Sequence, residues 1–373
     1  MRAERLRERM DRYVEQLRDA AAGLSRPVCL MEVCGTHTVN ACRAGIHSLM
    51  PASVRLVSGP GCPVCVTPQR YIDLLLLLAR RPEVTVATYG DMMRVTGSTG
   101  SLELVRSEGA EVQVVTSAME AVELAASRPD RQVVFAAVGF ETTTPATAAA
   151  VLAAQKRGLE NFTALCAHKR VVPAMCALLE SPEVAIDGFL CPGHVSVIIG
   201  AEAYRPVVEN YGKPCVIAGF EPLQIMEGIL HLVRQLAAGE LRLDNLYKIA
   251  VAPDGNRIAQ QLIERVFRIA DSPWRMLGLL PESGLELRDE YRRFDALERF
   301  GCQYGEDCEP PGCRCGEVIT GKIEPVECPL FANACTPVNP IGPCMVSTEG
   351  TCRAWFKYRR HEAGTDMEAK VGT

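Results

Sequence analysis

Between residues 28 and 218, short apolar runs recur at 28–33, 54–58, 84–89, 112–115, 133–139, 163–166, 188–191 and 215–218. They are rich in β-branched and aliphatic residues and are bounded by glycine, proline or polar residues, the pattern of a β-strand. Helix-length segments follow several of them, at 69–79, 118–126, 146–156 and 223–238. Strand alternating with helix predicts parallel sheets built from crossovers. We expect an α/β fold with two Rossmann-like lobes dividing near residue 130, because a crevice between lobes would gather the loops described below. Residues 3–21 alternate charged and apolar positions at helical spacing and are expected to form an amphipathic helix.

The pattern changes after about residue 240. Residues 257–271 read as a helix, and 272–300 are charged and mixed. From Gly301 onward Pro, Gly and Cys dominate and periodicity disappears. Such a stretch does not easily build its own core, and a bound metal centre would supply the missing cross-links. The expected organisation is an N-terminal helix at 1–25, α/β domains at 26–130 and 131–240, and a C-terminal metal domain of low regular structure at 241–373.

The chain has 373 residues, 48% of them hydrophobic, and a net charge of −5. That mild acidity, without any Lys/Arg block, argues against a nucleic-acid partner. The apolar runs are too short to span a membrane, and the N-terminus lacks the apolar core of a signal peptide. A cytoplasmic protein is expected. Seventeen cysteines are then the anomaly, since thiols stay reduced in that compartment and dense cysteine points to metal or redox chemistry.

Side chains just past the carboxyl ends of strands converge on the ligand crevice of an open α/β sheet. Cys34-Gly35-Thr36-His37 and Gly59-Pro60-Gly61-Cys62-Pro63-Val64-Cys65 both follow expected strands, so three thiols and an imidazole are candidates for one site. A helix start lowers a thiol pKa, and Pro68 suits a helix opening. Cys62 and Cys65 therefore read as a redox or metal-exchange pair, with a structural zinc half-site or two buried thiols as alternatives. Tyr89-Gly90-Asp91 and Gly139-Phe140-Glu141-Thr142 repeat the arrangement. Glu141 and Thr142 could hold a ligand or orient a thiol, while Thr142 to Thr144 could equally cap a helix. His194 and Ser196 follow the strand at 188–191, and His168 is a weaker candidate of the same kind. In the tail, Cys328, Cys335, Cys344 and Cys352 have gaps that suit an iron–sulfur cluster better than the tight pairs of a zinc ribbon. Cys302, Cys308, Cys313 and Cys315 could add a ligand, form a disulfide nearby, or do neither.

These motifs together resemble the HypD family of hydrogenase maturation factors. The likeness is carried by Cys34-Gly35-Thr36-His37, the loop from Gly59 to Pro68, Gly139-Phe140-Glu141-Thr142-Thr143 and Pro192-Gly193-His194-Val195-Ser196. It continues through Cys328-Pro329-Leu330-Phe331, Cys335-Thr336-Pro337 and Gly342-Pro343-Cys344-Met345-Val346-Ser347 with Glu349-Gly350. Ala332 departs from the pattern, standing where glycine is expected. The resemblance implies two α/β domains and a third domain with a [4Fe-4S] cluster. It implies a scaffold for the iron centre carrying cyanide and carbon monoxide that enters [NiFe]-hydrogenase, working with a HypC-type partner and a HypE-type cyanide donor. Carried over by motif, Cys34, Cys62 and Cys65 would be the iron-site thiols, with His37, Glu141, Thr142 and His194 around them. Cys328, Cys335, Cys344 and Cys352 would hold the cluster. A stand-alone thiol–disulfide oxidoreductase and a zinc-stabilised scaffold are the rival readings.

Overall fold

The computed structural model describes residues 2–360. Its strands are β1 (Val28–Glu32), β2 (Val54–Ser58), β3 (Val84–Thr88), β4 (Glu111–Val114), β5 (Gln132–Gly139), β6 (Phe162–His168), β7 (Gly188–Cys191), β8 (Cys215–Ile217), β9 (Leu243–Asn245), β10 (Phe267–Trp274) and β11 (Gly278–Leu287). They form a five-stranded sheet in the order β2-β1-β7-β8-β9, a four-stranded sheet in the order β4-β3-β5-β6, and the hairpin β10-β11. All pairings within the two larger sheets are parallel, and the hairpin is antiparallel. The α/β class with parallel sheets is as expected. Strands covered on both faces need continuous apolar runs, and β5 is buried from Val133 to Gly139.

The sheets do not follow a boundary near residue 130. β3 and β4 precede it and β5 and β6 follow it, yet the four share one sheet. The larger sheet combines β1 and β2 with β7, β8 and β9 from more than a hundred residues later. Sequence order shows where strands occur; which neighbour a strand chooses is settled by packing across the whole chain.

Two expectations for the later chain also change. The helix read over 257–271 ends at Val266, and Phe267 opens β10. The mixed segment after it forms the hairpin, in which buried Phe267, Trp274, Leu285 and Leu287 are interspersed with exposed residues and β11 packs on β6. The expected N-terminal helix is present as Arg2–Ala22 and packs against Pro222–Ala238. Beyond Gly301 the described structure is mostly turns with short helices at Cys315–Ile319, Pro343–Val346 and Thr351–Tyr358. Residues 361–373 of the expected C-terminal domain lie outside the described residues. No helix among the described residues is long and apolar enough to cross a membrane.

Candidate functional site

In both parallel sheets the first strand has neighbours that leave in opposite directions along the sheet. β1 stands between β2 and β7, and β3 stands between β4 and β5. Such switch points open a crevice at the carboxyl ends of the strands. Here the two crevices face each other and form one cleft of about 670 Å³. Val33, Cys34 and Thr36 enter it after β1, and Pro192 and His194 after β7. Tyr89, Gly90 and Asp91 enter after β3, and Val138 to Phe140 with Thr142 at the end of β5. Ser347, Thr348 and Glu349 of the C-terminal segment close the remaining side.

Cys34 is the residue before helix Gly35–Arg43, in an extended conformation. Burial pushes its thiol up to about 12, against the backbone N–H groups of His37 and Thr36, and Glu349 and Glu32 push the same way as burial. The thiol is therefore held protonated while the groups that would receive a thiolate are already in place. A Cβ on Gly61 would lie 2.4 Å from the Cys34 nitrogen, and Gly35 N–H donates to Gly61 O at 3.2 Å. Only glycine allows the two cysteine loops to approach this closely.

Cys62 and Cys65 form a disulfide. Both are buried, and the lining of the cleft beside them is Gly61, Pro63 and Val64 rather than their sulfurs. Their short helix Pro63–Val66 packs against helix Pro343–Val346, which carries Cys344. Arg275, fully buried in its side chain, clamps the other end of the loop. Its Nε donates to Thr67 O at 2.8 Å and its backbone N–H to Val66 O at 2.8 Å.

The remaining candidates separate into two groups. Thr142 and His194 line the cleft, and His194 stacks on Phe220 at 4.0 Å between ring centres. His37 does not line it. Its Nε2 meets Gly219 O at 3.0 Å, so that nitrogen carries the proton, and its ring lies against the same Phe220. Burial lowers the His37 pKa to about 4, which leaves it a neutral structural clasp. Glu141 also turns away from the cleft. Its Oε1 accepts the Val171 N–H at 3.0 Å at the start of helix Val171–Glu180, and it lines a separate hollow with Arg170 and Cys176. Along the bend after β5, Phe140, Thr142 and Thr143 reach the cleft, and Glu141 alone turns to the other side. Ser196 is buried on Pro192 O at 2.6 Å and the Tyr204 hydroxyl at 2.9 Å, and His168 bonds Thr147 at 2.9 Å. Thr143, at the cap position of helix Thr144–Lys156, makes no side-chain capping bond.

One residue and one set of contacts escape a reading of the sequence. The residue is Glu32, visible only as an acid inside an apolar strand. Its Oε2 accepts the Cys34 N–H at 3.2 Å and its Oε1 accepts the Thr38 hydroxyl. Burial pushes its carboxyl up to about 8. A raised carboxyl costs nothing below pH 4.5, where folded and unfolded chains both hold the proton; the penalty grows as pH rises toward 8 and only the unfolded chain releases it. Glu32→Gln has no proton to lose. Its stability relative to the unaltered protein should therefore increase by roughly 2–4 kcal/mol over that range. Urea denaturation across the pH series checks this, and a difference independent of pH would refute it. The contacts join the tail to the cleft. Asp91 Oδ2 accepts the Ser347 hydroxyl, the Thr348 N–H and the Thr348 hydroxyl, each at 3.0 Å. Thr36 donates to Glu349 at 2.9 Å.

Six cysteines of the tail, Cys313, Cys315, Cys328, Cys335, Cys344 and Cys352, surround one small apolar cavity of about 20 Å³. The four expected to bind a cluster are all among them; Cys302 and Cys308 are not. Cys344 is the hub, with its thiol held well below the usual range by hydrogen bonds from Cys315 and Cys352. Backbone N–H groups of Ile341 and Cys352 also point at the sulfurs of Cys335 and Cys344, at 3.4 and 3.2 Å. Among the described residues no three His, Cys, Asp or Glu side chains gather as a single-ion site. A cluster asks for a different arrangement, because its cysteines bind different irons. The donor set and apolar enclosure fit an iron–sulfur cluster, though the sulfurs would have to spread to admit one. Ala332, beside this cage, has φ 57°, the left-handed conformation that favours glycine.

Fold and site together define a cysteine-rich α/β protein organised around a thiol cleft. Its sequence matches the profile of HypD, described as the Hydrogenase formation hypA family, over residues 8–359. It is 44% identical to the hydrogenase maturation factor HypD of Escherichia coli K12, covering 95% of this chain and 97% of that protein. It is 46% identical to the hydrogenase expression/formation protein HupD of Azotobacter chroococcum, covering 95% of this chain and 99% of the relative. The HypD of Azotobacter vinelandii is likewise 46% identical, with 94% and 97% covered. The chain belongs to the HypD family and takes part in hydrogenase maturation.

Proposed function

We propose that this protein is the scaffold on which an iron bearing cyanide and carbon monoxide is assembled for [NiFe]-hydrogenase. Cys34 and the reduced Cys62/Cys65 pair would be its thiolate ligands. The observation that carries this reading is the position of Cys34, at the junction of two switch points with a disulfide turn packed beside it. Soft thiolates suit iron. Binding requires the Cys34 proton to leave, and the N–H groups of Thr36 and His37 then stabilise the sulfur that remains. The Cys62–Cys65 bond must first gain two electrons and two protons to become a dithiol. Val33, Val64, Met92 and Phe140 keep the cleft largely apolar, while Thr142 and His194 offer hydrogen bonds to a diatomic ligand. The cleft is open to a HypC-type protein contributing a further thiolate and to a HypE-type donor delivering cyanide.

Cys328, Cys335, Cys344 and Cys352 would hold the resident [4Fe-4S] cluster, with Cys313 and Cys315 beside it. When bound, such a cluster supplies single electrons. Packing of the Cys344 helix on the Cys62–Cys65 helix places the two thiol groups in one continuous core. The disulfide itself supports a second reading, a stand-alone thiol–disulfide oxidoreductase that turns over a generic disulfide and carries no iron beyond the cluster.

Iron, zinc and acid-labile sulfide per chain, with infrared spectra, on anaerobically purified protein distinguish these. About four irons with four sulfides is the expected cluster content, and additional iron with cyanide and carbonyl bands is expected of the scaffold. Four irons without those bands, together with catalytic disulfide reduction, would favour the oxidoreductase. Stoichiometric zinc without sulfide would overturn both.

A further inference from the structure

A second pocket, of about 330 Å³, lies past the carboxyl end of β6. It is roofed by the β10–β11 hairpin and is separate from the thiol cleft. Lys169 lines it, yet the residue is only 2% exposed. Lysine is almost never buried this deeply without an acidic partner. Here Nζ donates to Ser272 Oγ at 2.5 Å and to the Pro273 carbonyl at 2.8 Å. Among the described residues no carboxylate makes an ion pair with it.

The acids of the pocket are engaged elsewhere. Glu286 and Asp289 pair with Arg268 at 3.4 and 3.5 Å, and Glu298 pairs with Arg292. Asp271 and Asp295 each accept a backbone N–H at 2.9 Å, from Glu282 and Leu297. Arg70, the neighbouring cation, is turned to Asp307 at 3.2 Å.

The partners of the amine favour its neutral state over a buried charge. An ammonium buried here would have only two neutral oxygens as protein partners and no carboxylate to offset the cost of burying its charge. A neutral amine has two N–H groups, matched by the two acceptors present, and keeps one lone pair. Burial lowers the Lys169 pKa to about 7, with Arg70 acting in the same direction and Asp307 against it.

We propose that Lys169 is a nucleophilic amine and that this pocket takes a small aldehyde or ketone as a Schiff base. The Lys169 nitrogen attacks the carbonyl carbon, forming a C–N bond as the carbonyl oxygen takes a proton to become hydroxyl. The carbinolamine then loses water and leaves an imine, with no change of oxidation state. Desolvated lysines of lowered pKa are the ones that form Schiff bases. The pocket volume falls in the range of small-molecule sites.

The test uses the full-length protein with acetaldehyde and cyanoborohydride at pH 7, mapping the reduced adducts by mass spectrometry. An ordinary lysine, with a pKa of about 10.4, is almost wholly protonated there and reacts slowly. Lys169 is expected to be modified at least about tenfold faster than the other six lysines. Labelling of Lys169 at or below the rate of the others would overturn the proposal, whether from protonation or from a closed pocket. Lys169→Arg should remove the fast adduct without altering the iron and sulfide content. Persistence of a fast adduct on another lysine in that variant would equally count against it.

Discussion

Replacing Cys34 with alanine is expected to abolish hydrogenase maturation while leaving the fold and the C-terminal iron content unchanged. Cys34 is the one cysteine in the lining of the cleft where both switch points meet. Removing its sulfur takes away one small buried atom, a change worth about 1–2 kcal/mol in a core, which a protein of this size survives. The loss is therefore chemical. Hydrogen uptake in a strain lacking its own HypD, complemented with the variant, reads the result directly. Infrared bands of bound cyanide and carbonyl should disappear from the purified variant. Activity at the unaltered level would remove Cys34 from the iron site. Alanine at Cys65 should give the same functional loss, since a single remaining thiol of that pair can neither form the disulfide nor chelate with its partner.

The second large effect is expected at Cys344. Cys344→Ser should strip the tail of iron and sulfide, and it should destabilise the segment as well as empty it. Cys344 is buried, accepts hydrogen bonds from two other thiols and from the Cys352 N–H, and sits in the helix that backs the Cys62–Cys65 turn. Its loss should reach the cleft, because the segment from Ser347 to Glu349 that follows it is pinned to Asp91 and Thr36. Cys302→Ser and Cys308→Ser are the controls, since neither residue lines the six-thiol cavity. Iron and sulfide assays with proteolysis of the tail compare the three. Full cluster content in Cys344→Ser, or equal loss in the controls, would break the assignment.

Those two residues stand out for different reasons. Cys34 gains its place from the topology of two sheets, and Cys344 from the convergence of six thiols that the chain scatters over residues 313–352. Glu32 and Asp91 make backbone and hydroxyl contacts that hold these same segments. Arg275 does the same for the Cys62–Cys65 loop.

Much of this was legible in the residues themselves. Apolar runs separated by helix-length segments specify parallel strands, because period and length are local properties. Cysteine density, the Gly-Pro-Gly lead into Cys62 and the tail motifs were enough to place the chain in its family by residue type alone. Other features needed the folded chain. Strand partners are chosen by packing between segments far apart, so β1 and β2 join β7 while β3 to β6 close on themselves. The direction of a side chain at a bend depends on backbone angles that no motif encodes, which is why Thr142 faces the cleft and Glu141 does not. The hairpin β10–β11 is mixed in composition because it is only partly buried. It both clamps the thiol loop through Arg275 and roofs the pocket of Lys169. The sequence by itself determined the fold class and the family; the tertiary structure decided which residues meet, because burial and long-range pairing bring together groups that local physics leaves apart.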